Sequence, residues 1–251
     1  FTQGKQDLKE FTSELQLTGK AMEDKLSYAL GVTYLKESGT DESHSNANAN
    51  PAAGGGTWTK FLGDIDNKSW GVYGQLNYKL TDQLSLTGGL RWSHDDKGVT
   101  TQSTVIPNNG SVVAACLPTT YQLSKLLAGT LVAADCNRSR SDTWSNLSYS
   151  IGMDYKLTDD IMFYAKQSRG YRAGAQQLRS LTLTDTTPAE PEIVNEQEVG
   201  LKTQFWDNRV RWNIAGYHST VKNAQRSVIL NVGGTSRTVL ENASTKNWGF
   251  E

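Results

Sequence analysis

The sequence has no long apolar run. No stretch approaches the roughly 18–20 consecutive apolar residues that a membrane helix requires, and only 37% of the residues are hydrophobic. A transmembrane strand is still possible, because it needs about 9–11 residues of which only alternate ones are apolar. The sequence therefore argues against membrane helices and leaves a membrane-spanning sheet open.

An excess of charge of one sign is also lacking. The 25 basic and 26 acidic residues give a net charge of -1, so the sequence predicts no nucleic acid partner. Proline is scarce (5) and glycine frequent (23), as is typical of sheets with tight turns. The opening FTQGKQDLKEF is polar and is not a secretion signal. We expect that a leader was removed or that the chain is a fragment.

Cysteine is almost absent. Cys116 and Cys136 both fall within one long polar segment. Such a pair in a protein that otherwise avoids cysteine predicts a disulfide formed in an oxidising compartment. Two unrelated free thiols are the alternative.

Motifs for catalysis and metal binding are missing. His44, His94 and His218 show no zinc-site spacing, and no serine lies in a nucleophile motif such as G-x-S-x-G. We therefore expect no enzyme activity, no catalytic residue, no metal ligand and no cofactor. His94, followed by two aspartates, could still lie at the mouth of a loop, or it could mark a strand leaving the membrane.

The most informative stretch that is present is residues 69–92, SWGVYGQLNYKLTDQLSLTGGLRW. Alternate residues are apolar on both sides of a Thr-Asp-Gln turn, and the residues between them are small or polar. Because a strand turns successive side chains to opposite faces, this pattern predicts a hairpin. Its register pairs Tyr78 with Leu86 and Val72 with Trp92.

The hairpin pattern recurs along the chain. The turn sequence YKLTD at residues 78–82 is repeated at 155–159, as expected of an up-and-down sheet. Further strands are predicted at residues 9–18, 26–36 and 196–206, and from Val210 and Val239 onward. The prediction is an all-β, antiparallel fold of about nine strands.

The connections between these strands alternate in length. Short turns are predicted near Glu23, Asp82, Asp159 and Asn208. Long polar segments are predicted at 37–67, 95–141, 173–194 and 223–237. Outer-membrane barrels show this asymmetry, and their apolar faces carry aromatic residues near both strand ends. A soluble antiparallel sandwich is the alternative.

Four stretches, in this order, resemble TonB-dependent receptors of Gram-negative outer membranes. They are SWGVYGQLNYKLTDQLSLTGGLRWSHDDK, DIMFYAKQSRGYRAGA, PAEPEIVNEQEVGLKTQFWDNRVRWNIAGYHSTVKNAQ and ENASTKNWGFE. The resemblance implies a transmembrane up-and-down β-barrel of about 22 strands with an N-terminal plug domain in its lumen. We therefore expect residues 1–251 to be a single internal segment of that barrel, without the plug and the C-terminal strands.

The resemblance also implies energised uptake of a scarce nutrient, most simply a ferric siderophore, across the outer membrane. The expected partners are the TonB-ExbB-ExbD complex, acting through the plug, the small ligand and outer-membrane lipid. Cobalamin or an oligosaccharide as substrate, and a passive porin, remain alternatives. An outer-membrane lipase would need a serine beside an outward histidine such as His218.

Two groups of side chains are candidates for function. Ligand contacts are predicted at the outer end of the strands, at Arg91, His94, Arg169, Tyr171 and Arg172. The second group is predicted to face the lumen and the plug: Tyr73, Gln75, Tyr164, Lys166, Glu198, Lys202, Arg211 and Tyr217. Alternatively, both groups satisfy only lumen neighbours or lipid headgroups.

The cysteine prediction can be tested on the protein isolated without reductant. If Cys116 and Cys136 are bonded, a thiol-alkylating reagent labels neither in the denatured protein, and both after reduction. Mass spectrometry counts the labels. Two labels before reduction would show free thiols.

Overall fold

The computed structural model describes residues 2–46, 57–107, 137–179, 187–207, 209–232 and 235–251. Within them, nine strands form one antiparallel sheet in which each strand pairs with its neighbours in sequence. The strands are β1 (Thr2–Ala21), β2 (Leu26–Asn46), β3 (Thr57–Lys79), β4 (Leu84–Pro107), β5 (Arg138–Lys156), β6 (Ile161–Arg172), β7 (Glu192–Phe205), β8 (Val210–Val232) and β9 (Thr235–Phe250). The sheet is not closed, because no ladder joins β1 to β9 among these residues. The described residues contain no helix long and apolar enough to cross a membrane.

The predicted hairpin register is confirmed. Tyr78 pairs with Leu86 and Val72 with Trp92 in the β3–β4 ladder. Since partners across a ladder point to the same side, the sheet has an apolar face and a polar face. Large apolar side chains of the first are exposed, and examples are Leu15, Val32, Leu90, Ile151 and Val199.

The two copies of the YKLTD turn fold alike. Thr81 Oγ1 accepts hydrogen bonds from the backbone N–H of Gln83 (3.2 Å) and Leu84 (2.9 Å). Thr158 Oγ1 accepts one from the N–H of Asp160 (3.2 Å). A threonine hydroxyl that binds nearby N–H groups closes a tight turn, which explains why the motif recurs where strands reverse.

The other two short turns use residues with positive φ. Met22, Glu23 and Asp24 adopt φ values of 55–66° between β1 and β2. Between β7 and β8, positive φ occurs at Trp206 (52°) and Asp207 (54°), and the N–H of Arg209 donates to Trp206 O (3.1 Å), near the turn that was predicted at Asn208. Asn208 lies outside the described residues. We call the strand ends that these four short turns join the short-turn end of the sheet, and the opposite strand ends the long-loop end.

The predicted extent of three long segments was wrong. β2 continues to Asn46 and β3 begins at Thr57, so much of segment 37–67 is strand. Segments 95–141 and 223–237 are shortened in the same way by β4, β5, β8 and β9. The apolar alternation stops before the strand does, because backbone pairing continues where neither face is apolar, so periodicity underestimates strand length. For segment 173–194 the prediction was close, since β6 ends at Arg172 and β7 begins at Glu192.

The tightest packing lies at the long-loop end, on the polar face. Phe61, Val99, Ala173 and Ala189 are buried there, each at 9% exposure or less. The chain that follows β6 folds back over β3–β5 and is joined to residue 189 by an isolated bridge from Ala175. The sheet therefore has a small core where this returning segment covers it.

Glycines face tyrosines across four of the described ladders. Gly19 pairs with Tyr28, Gly31 with Tyr73, Gly200 with Tyr164 and Gly249 with Tyr217. In each pair the tyrosine lies across the glycine, where a Cβ would overlap the phenol. Glycine is required here because another backbone or ring approaches it closely.

Gly31→Ala should destabilise the sheet, because the Cβ of the alanine would overlap the Tyr73 ring. We expect the free energy of unfolding to fall by about 1–3 kcal/mol, as for other overpacked sites. Urea unfolding of the intact protein, followed by tryptophan fluorescence, measures the change. Gly88→Ala is the matched control, since nothing lies within 4 Å of its Cβ position. Equal effects of the two substitutions would contradict the argument.

Candidate functional site

Tyr73 and Arg91 connect the first four strands on the polar face. The Tyr73 hydroxyl passes over β2, donates a hydrogen bond to Glu14 Oε1 (2.6 Å) and accepts one from Gln16 Nε2 (2.8 Å). Arg91 Nη2 donates to Thr33 Oγ1 (2.7 Å), and Arg91 Cζ lies 5.9 Å from the centre of the Tyr73 ring. This network fixes a cation at mid-height on the polar face.

A second network lies on β6 and β7, nearer the short-turn end. The Tyr164 hydroxyl donates to Glu198 Oε1 (2.5 Å), and Lys202 Nζ lies 5.0 Å from the centre of the Tyr164 ring. In the ladders Lys166 pairs with Glu198, and Glu198 pairs with Tyr217. Charges of opposite sign therefore alternate across this part of the polar face.

All eight side chains predicted to face the lumen share the polar face by register. Gln75 pairs with Gly89, next to the Tyr73–Arg91 pair on the same face. Arg211 pairs with Gln204 close to the short-turn end. The register thus groups them as the sequence predicted, while their contact with a plug stays a prediction.

A concavity of about 520 Å³ lies between these networks. It is shallow and open, and small or polar residues form most of its surface. The lining includes Glu14, Tyr73, Gln75, Gly89, Arg91, Ser148, Ser150, Lys166 and Ser168. It offers two cations, a carboxylate and several hydroxyls to whatever occupies the space in front of the polar face.

The returning segment, residues 173–179, covers the polar face above this concavity, and we call it the cover segment. Gln176 Nε2 donates to Lys97 O (3.0 Å) and to Asp142 Oδ2 (2.7 Å). A Cβ at Gly63 would lie 3.1 Å from Leu178 Cδ2, and one at Gly174 would overlap the Trp144 ring. Hydrogen bonds and two close approaches thus hold the cover segment on β3–β5.

Charged groups are concentrated under the cover segment. Lys97 Nζ donates to Gly174 O (3.0 Å), and burial lowers the pKa of Lys97. Burial alone would raise the pKa of Asp142, but hydrogen bonds from Arg140 and Gln176 hold it below its usual value. Burial and the Asp95 carboxylate raise the pKa of Tyr171, whose hydroxyl donates to Asp95 Oδ2 (3.1 Å).

The five predicted ligand contacts divide between the two faces. Arg91 and the Tyr171 hydroxyl lie on the polar side, and Arg172 is exposed at the end of β6 opposite Glu192.

His94 lies on the apolar face, although the sequence grouped it with the loop mouth. Its ring is 5.5 Å from that of Trp70 and 5.7 Å from that of Trp92. Arg169 pairs with Tyr149, whose partner Leu90 is on the apolar face, so register places Arg169 there too. The sequence grouped these two by their height along the strand and did not count which face each residue takes; their contact with a ligand stays a prediction.

Sequence reasoning did not find Lys97, Asp142 and Gln176. Lys97 and Gln176 lie in segments that were interpreted as loops, and Asp142 directly follows the first of these segments. Only long-range folding of the cover segment brings the three together. The strand signal was present in the sequence as alternating Val, Thr and Ser in 99–105, but it is weak without an apolar face.

Metal-ligating side chains do not converge in the described residues, where no group of three or more His, Cys, Asp or Glu could hold an ion. His44 Nε2 instead lies 2.8 Å from Glu42 Oε1. Cys116 and Cys136 lie outside the described residues, and their disulfide stays a prediction.

The chain is similar to known receptor β-barrels. A family model described as TonB dependent receptor-like, beta-barrel, matches residues 2–251. The ferric yersiniabactin uptake receptor FyuA from Yersinia pestis matches 99% of this chain with 32% of its own (TM-score 0.70, 17% identity). The copper transporter OprC matches 99% with 35% (TM-score 0.62, 16% identity). The siderophore receptor PiuA from Acinetobacter baumannii matches 98% with 35% (TM-score 0.61, 17% identity). The chain thus spans about a third of their length, and the likeness shows the fold.

Asp142→Asn should loosen the cover segment. The substitution removes the charge that receives Arg140 Nε (2.7 Å) and Gln176 Nε2 (2.7 Å). Since hydrogen bonds to charged groups contribute about 1.5–3 kcal/mol, we expect roughly tenfold faster amide exchange or more in residues 173–179. Hydrogen exchange with mass spectrometry on the intact protein measures it. Asp154→Asn, on the same face of β5, is the control and should leave this exchange unchanged.

Proposed function

Because the chain belongs to the TonB-dependent receptor-like β-barrel family, whose members are outer-membrane transport receptors, we propose that it forms part of the wall of a ligand-gated transporter. The substrate class we assign is an anionic ferric chelate of the siderophore type. Uptake would be energised by TonB, with ExbB and ExbD, in a Gram-negative outer membrane.

The observation that carries the proposal is the opposition of the two faces. On the apolar face, the ring centres of Trp70 and Trp92 lie 4.5 Å apart, and the ring centres of Phe11 and Tyr34 lie 6.4 Å apart. Amphipathic rings in such a row suit the interface between hydrocarbon and headgroups. The polar face behind them carries the charge networks and the cover segment, as the wall of a solute path requires.

The rest of the receptor would complete the wall and fill its lumen. β1 and β9 each have one edge without a ladder partner in the described sheet, and open strand edges are not tolerated in lipid. We assign the missing strands and a plug to parts of the receptor outside this chain. Side chains such as Tyr73, Lys166 and Glu198 would contact the plug.

The ligand end of the path would be the long-loop end of the polar face. Tyr171, Arg172 and the half-buried Lys97 lie at or beside this end, and Arg91 lies at mid-height on the same face. Cations and phenols can hold a ligand that carries negative charge. The names of FyuA, a ferric yersiniabactin uptake receptor, and PiuA, a siderophore receptor, favour this substrate class over the alternatives.

Uptake assays test the function directly. The intact receptor, restored to a strain that lacks it, should import radiolabelled iron–siderophore during iron starvation only when TonB is present. Uptake that persists without TonB would indicate a passive porin. Growth rescue by cobalamin, copper or an oligosaccharide, with none by any iron chelate, would show that the transported substrate is that nutrient and not a ferric chelate.

Arg91→Gln and Arg172→Gln should each weaken chelate binding about tenfold or more, because a hydrogen bond to a charged group contributes about 1.5–3 kcal/mol. Binding to the purified intact receptor, followed by fluorescence quenching, gives Kd. His94→Gln is the control, since His94 lies on the opposite face, and its Kd should stay within about twofold. Comparable losses from all three would refute the assignment of the ligand to the polar face.

A further inference from the structure

On β6–β9, two consecutive rows of the apolar face carry mostly polar and charged side chains. In the ladders Gln167 pairs with Gln197, Gln197 with His218 and His218 with Trp248. The next row towards the long-loop end runs from Arg169 through Asn195 and Thr220 to Lys246. We call Gln167, Arg169, Asn195, Gln197, His218 and Lys246 the polar patch.

The polar patch lies at a height where neighbouring strands are aromatic. Arg169, Gln197 and His218 are each eight residues from the short-turn end of their strands, at Ile161, Phe205 and Val210. Eight residues from the short-turn end, β2 has Tyr34 and β4 has Trp92. The apolar band is therefore lower on β6–β8 than on β2–β4.

The backbone sets the same boundary independently. The β5–β6 ladder ends at Tyr149 and Arg169, although β5 begins at Arg138. Above that point the β6-facing edge of β5 has no strand partner among the described residues. Unpaired N–H and C=O groups cannot lie in hydrocarbon, so the hydrocarbon must end at or below Arg169 at this seam.

The patch carries positive charge and hydrogen-bond donors without a carboxylate. Arg169 and Lys246 enter no ion pair in the described structure, and Arg169 Nε is buried without a hydrogen-bond partner. His218 Nδ1 lies 3.1 Å from Gln197 Oε1, so the polar side chains also contact one another. The row below the patch is apolar and contains Ala165, Val199 and Gly216.

We infer that the polar patch binds the phosphorylated headgroup of a lipid in the outer leaflet. Its charge complements phosphate, its amides and imidazole can share the remaining oxygens, and the apolar rows below it accept the acyl chains. A phosphate drawn to this depth also explains how Arg169 is accommodated on a lipid-facing surface. The inference rests on the proposed membrane placement, and not on which solute is transported.

Native mass spectrometry of the intact purified receptor tests the site. The probes are diphosphorylated lipid A, the same lipid without its phosphates, and inorganic phosphate. We expect retention of the diphosphorylated lipid only. Arg169→Gln combined with Lys246→Gln should reduce that retention roughly tenfold or more, since each cation near an anionic headgroup contributes about a fivefold factor.

Two further double variants distinguish the loss of this site from a general loss of positive surface charge. Arg169→Lys combined with Lys246→Arg keeps both charges and should retain the lipid. Lys36→Gln combined with Lys68→Gln removes two adjacent cations from the same face, beside Asp96, and should change retention by no more than about twofold.

Several results would overturn the inference. They are equal retention of the phosphate-free lipid, no loss in the Arg169/Lys246 double glutamine variant, equal loss in the Lys36/Lys68 variant, or cross-linking of the patch to a protein in place of lipid. Displacement of the bound lipid by inorganic phosphate alone would point to an ion site and also count against it. Any of these, in a receptor that still takes up its ligand, leaves the proposed function standing, whereas absence of the receptor from the outer membrane refutes both.

Discussion

Backbone hydrogen bonding between neighbouring strands decides where every side chain of this protein lies. In lipid each N–H and C=O must be paired within the protein, and an antiparallel ladder does this for a whole strand at once. Because the side-chain period is two, a slip of one residue would exchange the two faces of a strand. The register that pairs Val72 with Trp92 thus also places Arg91 on the polar face and His94 among the indole rings.

Close packing of strands adds a second constraint on the same ladders. A tyrosine that lies flat across a glycine can reach one strand further, as Tyr73 does when its hydroxyl meets Glu14. The glycine has little β propensity, but the ring covers the backbone that it exposes. The Gly31–Tyr73 pair therefore supports a contact that spans three strands, and it places a phenol and a carboxylate together on the polar face.

Much of the wall could be predicted from residues 69–92 alone, because alternation identifies both the strands and their faces. What could not be predicted depends on contacts distant in sequence. Segment 95–107 has no sustained apolar alternation to reveal that it is strand, since most of its residues on both faces are polar. The meeting of Gln176 with Asp142 depends on where the chain turns after Arg172, and no local signal encodes that. For His94 the sequence indicated the height along the strand, and the register adds the face, which it shares with Trp70 and Trp92.

The cover segment is held on the sheet by a different kind of contact from the one that holds the strands together. Its contacts with Lys97 and Asp142 are mostly hydrogen bonds, which exchange with water at a net cost of about 0.5–1.5 kcal/mol each when neutral and more when charged. The strands beneath it are held by continuous ladders. In the described residues the cover segment has no such ladder beyond the Ala175–Ala189 bridge, so it should open at a lower free energy than the wall does. A solute reaching the long-loop end would thus meet an adaptable surface on a rigid support, and the Arg91 network would stay fixed behind it.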